Sequence, residues 1–416
     1  MRRKRFWQVL GPGLVTGASD DDPSGIGTYS QVGAQFGFGM LWTMVLSFPL
    51  MVCVQVICAR VGRVTGALIA ANLRRQFPAG VLFPIVSLLL LANTINIAAD
   101  LGAMGAALQL LVGGPAMLYT VLFAAVSLLL QVFIPYRRYV RILKWLSLVL
   151  LAYVAAAFSI TIPWREVAVR TLVPHLSLRS EYLTAVVAIF GTTISPYLFF
   201  WQASQEVEEQ QGAPGEEPLI VAPRQAPAQF SRMNADTYVG MAASNIVGFF
   251  IMLTTAATLH AHGVHGIATA AQAAGALRPI AGRFAFSLFS MGIIGTGLLA
   301  VPVLAGSAAY GVAEAMRWRF GMEKKLAEAT RFYAVIAAAV IIGLAINFLG
   351  VDPIAALFWT AVINGVVAVP LLIAIMILAS RRSAMQQFAI PGYLRWGGWA
   401  TTAFMTACVT AMIATA

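Results

Sequence analysis

Apolar residues run in long blocks along this chain, and polar residues collect in short gaps between them. A bilayer core is crossed by about 20 apolar residues in a helix. By that measure the blocks predict eleven membrane-spanning helices, at residues 10–36, 40–60, 81–110, 116–135, 142–162, 183–204, 236–260, 283–313, 332–349, 353–379 and 396–414. Two blocks carry breakers. The first contains GASDDDPSG (17–25) and the sixth contains FGTTISP (190–196). Proline removes a backbone donor and glycine weakens a helix, so each run predicts a helix broken at mid-membrane. The two breaks hold corresponding places in two five-helix halves, residues 1–162 and 163–379, with 380–416 as an additional C-terminal span. An odd number of spans per half makes the second half inverted. Matched interruptions of this kind point to a transporter binding site.

Polar residues inside the blocks sharpen that reading. Asp20, Asp21 and Asp22 stand together in the first one. One carboxylate at the centre of a bilayer helix costs about 2.5–3.5 kcal/mol, so three cost roughly 7–10 kcal/mol. Each Leu or Val returns only about 0.3–0.6 kcal/mol. A lipid-facing helix is excluded, and a protein-lined site is expected. The third block carries Asn93, Asn96 and Asp100 within an arc of about 60°, a polar stripe that must face the bundle interior. Plain hydrogen bonding between helices is the alternative. Thr360 and Asn364 share a face of the tenth block, where packing is the simpler reading.

Composition agrees. The chain has 416 residues, 60% hydrophobic and 10% charged, with a mean hydropathy of +0.82; soluble domains carry about 25% charged residues. This is a polytopic membrane protein with no room for a sizeable soluble domain. A net charge of +11 suggests nucleic acid until its placement is read. Of 27 Lys and Arg, 22 fall at the N-terminus and in alternate connections. They are Arg2, Arg3, Lys4 and Arg5; Arg60, Arg63, Arg74 and Arg75; Arg137, Arg138, Arg141 and Lys144; Arg224 and Arg232; Arg317, Arg319, Lys324, Lys325 and Arg331; and Arg381, Arg382 and Arg395. The other connections hold Arg165, Arg170, Arg179, Arg278 and Arg283. This bias predicts a cytoplasmic N-terminus in an inner (cytoplasmic) membrane and an outward C-terminus. The partners expected are lipid and a small ion, with no nucleic acid; a monomer is compatible with the sequence.

Several features change little. The basic, apolar start looks like a signal peptide, but it runs on as a span without a small-residue cleavage site, and we read it as uncleaved. Cys53, Cys58 and Cys408 lie in apolar helices as packing residues. No GxxxxGK[ST] run exists, so nothing suggests ATP drive. The connection 205–236, rich in Pro, Gln and Glu, is expected to be flexible, with Glu206, Glu208 and Glu209 a solvated charge run near the cytoplasmic mouth. His260, His262 and His265 in HAHGVHG have no fixed geometry behind them for a metal.

The two breaks offer oxygen alone. Asp22 supplies charge beside freed carbonyls, and Thr192, Thr193 and Ser195 supply hydroxyls. Neither break holds His, Cys or Met. Oxygen sets suit hard ions such as Mg2+ and Ca2+; softer metals favour sulfur and imidazole, although Mn2+ accepts oxygen too. Neighbouring side chains point apart, so the three Asp cannot all face one ion. Asp22, next to Pro23, is the expected ligand.

The stretch GPGLVTGASDDDPSGIGTYSQVGAQFGFG, with GTTISPY in the sixth block and AADLG in the third, resembles the Nramp family. That resemblance implies an all-α, LeuT-like 5+5 inverted repeat plus an eleventh helix, no enzymatic activity, no cofactor, and inward carriage of divalent metal ions, usually with protons. The family's Asp-Pro-Gly-Asn reads here as Asp22, Pro23, Ser24 and Gly25, so the Asn is lost. Its Gly-Ala-Thr-Val-Met-Pro-His reads as Gly191, Thr192, Thr193, Ile194, Ser195, Pro196 and Tyr197, so the thioether becomes Ser195 and the His becomes Tyr197. Its Asp-Leu-Ala-Glu reads as Asp100, Leu101, Gly102 and Ala103, so the Glu is gone. The pattern is similar to the magnesium-transporting branch, which implies Mg2+, with Mn2+, moved without obligatory proton coupling. The implied ligands are Asp22, Ser24, Gly25, Gly191, Thr192 and Ser195. Asp21, Thr193, Tyr197, Asp100, Asn96 and Asn364 are expected beside them or at a gate, and Gly191 as a hinge. The nearest alternative is a proton-coupled Mn2+/Fe2+ symporter of the same family. A sodium-coupled amino-acid symporter is disfavoured because three Asp would repel a substrate carboxylate. An intramembrane aspartyl protease would need a Gly-rich companion motif that Asp100 lacks.

Overall fold

The computed structural model describes residues 12–136, 138 and 146–416. Among them every regular element is helical. Nine helices are long and apolar enough to cross a bilayer: Trp42–Thr65, Ala79–Val112, Ala116–Phe133, Ser180–Gly212, Pro223–His262, Ala285–Ala315, Thr330–Asn347, Pro353–Ser380 and Gly392–Thr415. These are spans two to four and six to eleven. Span one is two shorter helices, Pro12–Asp20 and Pro23–Phe36. Span five is represented by the apolar stretch Leu148–Ser159. The residues before 12, including Arg2, Arg3, Lys4 and Arg5, as well as Arg137, Arg141, Lys144 and the first residues of span five, lie outside the described residues, as does the side chain of Arg283.

Both breaks are narrower than the sequence suggests. In span one the leading helix continues through Asp20, and only Asp21 and Asp22 lie between the halves. Asp22 has extended backbone (φ −69°, ψ 170°) and caps the trailing helix, with Pro23 at its first position. In span six the first half ends at Thr193, Ile194 and Ser195 form the gap, and Pro196 opens the second half. Proline at a helix start needs no amide partner and has the right φ. Each Pro therefore begins a helix rather than kinking one.

The glycines in these runs serve close approach. A Cβ on Gly17 would sit 2.2 Å from the Gly240 carbonyl oxygen of span seven, and one on Gly191 would sit 2.0 Å from that of Ala361 in span ten. Gly191 lies inside its helix. Small residues let membrane helices meet backbone to backbone where no hydrophobic driving force separates helix from lipid. Span seven packs on both halves of span one and on span two, and the second half of span six packs on spans two and eight. Span three packs on spans four, eight, nine and ten. Two groups result, spans one, two, six and seven against spans three, four, eight and nine.

The connection 205–236 is not the flexible, solvated stretch expected. The sixth span runs on to Gly212 and the helix of span seven begins at Ala226. Arg63, at the end of span two, is the reason. Its side chain is 1% exposed and pairs with Glu206, also 1% exposed, at 2.6 Å. It pairs also with Glu216 at 2.9 Å and with Glu209. Arg232 bridges Glu216 at 3.0 Å and Glu209 at 3.6 Å. The amides of Leu219 and Ile220 donate to the Arg63 and Val64 carbonyls. Glu208 accepts from the Tyr310 hydroxyl and, at 3.2 Å, from the Met322 amide. A guanidinium fork can satisfy several carboxylates at once, and Glu206 and Glu209, three apart, share the helix face that meets it.

Breaking a buried pair by removing one partner costs about 3–5 kcal/mol, whereas exposed pairs are worth about 0–1 kcal/mol. Arg63→Ala should therefore lower the thermal unfolding temperature in detergent well beyond Arg232→Ala, whose side chain is 29% exposed. Equal shifts would show that burial of Arg63 does not set the strength of this network.

Candidate metal centre between the broken helices

The gap in span one presents Asp22, 1% exposed, to two other spans. Its Oδ1 accepts from the Gly25 amide at 2.7 Å and the Ser24 hydroxyl at 2.8 Å. Its Oδ2 accepts from Asn96 Nδ2 at 3.2 Å and the Tyr197 hydroxyl at 3.5 Å. A carboxylate cut off from water needs donors of this kind at every lone pair. The helix start provides one from the backbone, and spans three and six provide the rest.

The two breaks meet at Gly25. A Cβ there would lie 3.2 Å from the Asp20 carbonyl oxygen, 3.2 Å from Thr192 Oγ1 and 3.4 Å from Asp22 Oδ1. Glycine thus leaves three oxygens from both broken helices around one point. Ser195 is turned the other way: its hydroxyl is 2.7 Å from the carbonyls of both Gly191 and Thr192, closing the helix end. Thr193 bonds back to Ile189 at 3.0 Å. Of the second break, Thr192 is the residue whose side chain lies against Gly25.

Asn96 ties in span three. Its Nδ2 donates at 3.2 Å to Asp22 and at 3.2 Å to Asp100, so the two acceptor oxygens are no further apart than the sum of those bonds. Its Oδ1 accepts from Asn364 of span ten at 2.9 Å and lies 3.5 Å from the Ser24 hydroxyl. The Asp100 Oδ1 and Asn364 Oδ1 atoms are buried without a hydrogen-bond partner. Thr360 bonds back to Leu357, and Asn93 bonds to Leu304 and Ser307 of span eight. The stripe thus divides into a helix contact, Asn93, and two residues at the centre.

Asp20 and Asp21 turn to span seven. Ser244 Oγ lies 2.5 Å from Asp20 Oδ2 and 3.1 Å from Asp21 Oδ1. The leading half of span one is fastened at both ends. Asp236 Oδ2 accepts from the Gly13 amide at 2.6 Å, and the Tyr197 hydroxyl donates to the Ser19 carbonyl at 2.9 Å. Between them Gly13 and Gly17 lie flush on Thr237 and Gly240. Sequence reasoning missed Ser244 and Asp236. Each is a lone polar residue more than 200 positions from its partner, and no spacing marks it.

Among the described residues, no group of three or more His, Cys, Asp or Glu converges to hold an ion, and no Lys or Arg pairs with Asp20, Asp21, Asp22 or Asp100. The acidic triplet is one central carboxylate and two that face span seven, not a single cage. His260 lies 2.7 Å from the Ala34 carbonyl and 3.2 Å from His265, and His262 bonds Thr258, so this loop packs on the end of span one. The groups around Asp22 are oxygens and amides, a donor set for a hard cation.

Comparison with known proteins fits this architecture. The model of the Nramp family, described as natural resistance-associated macrophage protein-like, matches residues 13–415. The divalent metal cation transporter MntH of Erwinia tasmaniensis is 29% identical over 313 residues, 72% of this chain and 71% of its own. That of Klebsiella pneumoniae is 25% identical over 409 residues, 97% of this chain and 93% of its own. The Eremococcus coleocola manganese transporter, solved with an aromatic bis-isothiourea substituted compound, superposes with a TM-score of 0.78 at 18% identity, over 100% of this chain and 89% of that one. At that identity the likeness is one of fold, which is LeuT-like. A family match over nearly every residue, on a fold with two broken spans meeting at a buried carboxylate, makes this chain a multi-pass membrane protein of the Nramp family.

Proposed function

We propose that this protein carries divalent metal ions across the membrane by alternating access, with Mg2+ and Mn2+ as cargo and without obligatory proton coupling. The carrying observation is Asp22: one buried carboxylate at the meeting point of two broken helices, surrounded by oxygen and amide groups. The functions of the relatives, divalent metal cation and manganese transport, support the cargo class. The finer choice rests on ligand chemistry. Ser195 stands where the family carries a thioether, and Gly25 where it carries an Asn, so softness and one ligand are lost together. A wider, all-oxygen site suits an ion that keeps part of its water, as Mg2+ does. Asp22, Ser24 and Thr192 would supply side-chain ligands beside the space that Gly25 leaves, and Gly191 its carbonyl; Ser195 would join them by turning its hydroxyl away from the carbonyls of Gly191 and Thr192. Asp21, Thr193, Tyr197, Asp100, Asn96 and Asn364 would orient them or gate the path.

The charge bias supports a cytoplasmic N-terminus in an inner membrane, with the inverted repeats at 1–162 and 163–379 and an additional span at 380–416. The leading half of span one then faces the cytoplasm as the inner gate, held shut by Asp236, Tyr197 and Ser244. One observation favours the second reading, a proton-coupled Mn2+/Fe2+ symporter. Asp20, Asp21 and Asp100 are buried carboxylates without a Lys or Arg partner among the described residues, and they offer places for a proton.

Proteoliposomes should take up Mg2+ and Mn2+ at rates that a pH gradient changes little, and Ser195→Met should shift competition towards Mn2+. Mg2+ flux that requires protons would favour the symporter, and unchanged selectivity in Ser195→Met would defeat the softness argument.

Hydrogen bonds to charged groups contribute about 1.5–3 kcal/mol. Asn96→Leu should therefore raise the KM for Mg2+ roughly ten- to hundredfold, while kcat changes less. An unchanged KM would reduce Asn96 to a packing residue.

Capping bonds of the Asp236 kind contribute about 0.5–2 kcal/mol, a roughly two- to thirtyfold shift in gate population. In a background without Cys53, Cys58 and Cys408, Asp236→Ala should speed cytoplasmic thiol labelling of Thr16→Cys by that factor. Equal labelling rates would exclude Asp236 as a gate latch.

A further inference from the structure

Away from the ion site, a cavity of about 310 Å3 opens where span four ends and the link between spans eight and nine crosses it. Its volume reaches the range of small-molecule pockets, roughly 300–1,000 Å3. One wall is apolar and turned outward: Phe133 is 72% exposed, and Ile134 and Leu326 are exposed beside it. Lys324 and Lys325 line the same cavity, both exposed, and neither pairs with a carboxylate among the described residues. Gln131, 2% exposed, also lines it, and its Oε1 is buried without a hydrogen-bond partner. Among the described residues Glu323 is the one acidic side chain in the lining, and it has an interaction of its own.

An apolar wall facing lipid, two ammonium groups and a buried amide oxygen describe one kind of occupant. We propose that this groove binds the headgroup of an anionic phospholipid with a hydroxylated headgroup. The phosphate sits between Lys324 and Lys325, a headgroup hydroxyl donates to Gln131, and the acyl chains run along Phe133 and Ile134. Basic pockets between helices on the cytoplasmic side recognise such headgroups, and this link lies on the side that the charge bias assigns to the cytoplasm.

The same link touches the moving part of the protein. Two residues before Lys324, the Met322 amide donates to Glu208 at 3.2 Å and to the Tyr310 hydroxyl at 3.1 Å. Glu208 belongs to the second half of span six and Tyr310 to span eight. The Lys324 carbonyl accepts from Tyr333 of span nine at 2.7 Å. A headgroup that holds Lys324 and Lys325 therefore steadies a bridge between the two helix groups and regulates opening on that side. This regulatory half rests on the transport reading; the binding half does not.

The test uses the full chain in detergent micelles, with bound phosphatidylglycerol counted by native mass spectrometry. Phosphatidylcholine and soluble glycerol phosphate serve as separate arms. Wild type should bind phosphatidylglycerol at least fivefold more tightly than the Lys324→Gln, Lys325→Gln double variant, Lys324→Arg, Lys325→Arg should retain binding, and unfolding temperatures should match throughout. Equal binding by wild type and the Gln variant, or full displacement of the lipid by glycerol phosphate at matched concentration, would overturn the lipid site. In proteoliposomes, phosphatidylglycerol should change Mn2+ flux in wild type more than in the Gln variant. The same change in both would overturn regulation while leaving the binding result standing.

Discussion

A carboxylate inside a bilayer must have its charge answered by protein or by an ion, and Asp22 imposes that demand on the whole molecule. Its donors stand on three spans: two at the start of its own trailing helix and one on Asn96, with the Tyr197 hydroxyl within reach at 3.5 Å. None of these donors carries a full charge. Hydrogen bonds from neutral groups hold the carboxylate in place without cancelling it. A fixed ammonium in their place would have made a closed salt bridge with no call for a cation. Answering the charge with neutral donors is what makes this centre suited to binding an ion.

That arrangement needs the helices close together, and glycine provides the closeness. Gly17 against Gly240 and Gly191 against Ala361 bring spans seven and ten to backbone distance from the two broken spans. Any side chain there would push one wall of the site away from the other. Charged groups do the corresponding work at the far end. Arg63, Glu206, Glu209, Glu216 and Arg232 bind spans two, six and seven into one body. Span three and its neighbours form another, and Asp22 and Asp100 approach each other across the boundary between the two.

The spans, their number and the two breaks were legible because a membrane helix must satisfy its own backbone, which leaves long apolar blocks and conspicuous prolines. The polar stripe of span three was legible for the same reason, and Asn96 and Asp100 stand at the centre. What glycine was for was not legible. Gly17 and Gly191 read as breakers, yet both sit within helices and serve contacts that depend on residues far along the chain. The run from Glu206 to Glu209 read as solvated because its partner, Arg63, is 143 positions away. Ser195 read as a hydroxyl for the ion, while its bonds to Gly191 and Thr192 depend on how the helix end closes.

Tyr197 joins the centre to the leading half of span one, the gate proposed above. Its one hydroxyl lies 2.9 Å from the Ser19 carbonyl and 3.5 Å from Asp22, and a phenol has one proton to donate. The shorter contact takes that proton, so the Asp22 contact strengthens only as the hold on Ser19 loosens. Ser19 lies in the last turn of the leading half of span one, whose other end is held by Asp236. A cation drawing on Asp22 competes with Tyr197 for the same oxygen and frees the hydroxyl to stay with Ser19. In the proposed cycle, occupancy at the centre and the grip on the gate would be two uses of a single proton. That coupling would pass through one side chain, Tyr197, which touches both ends of it.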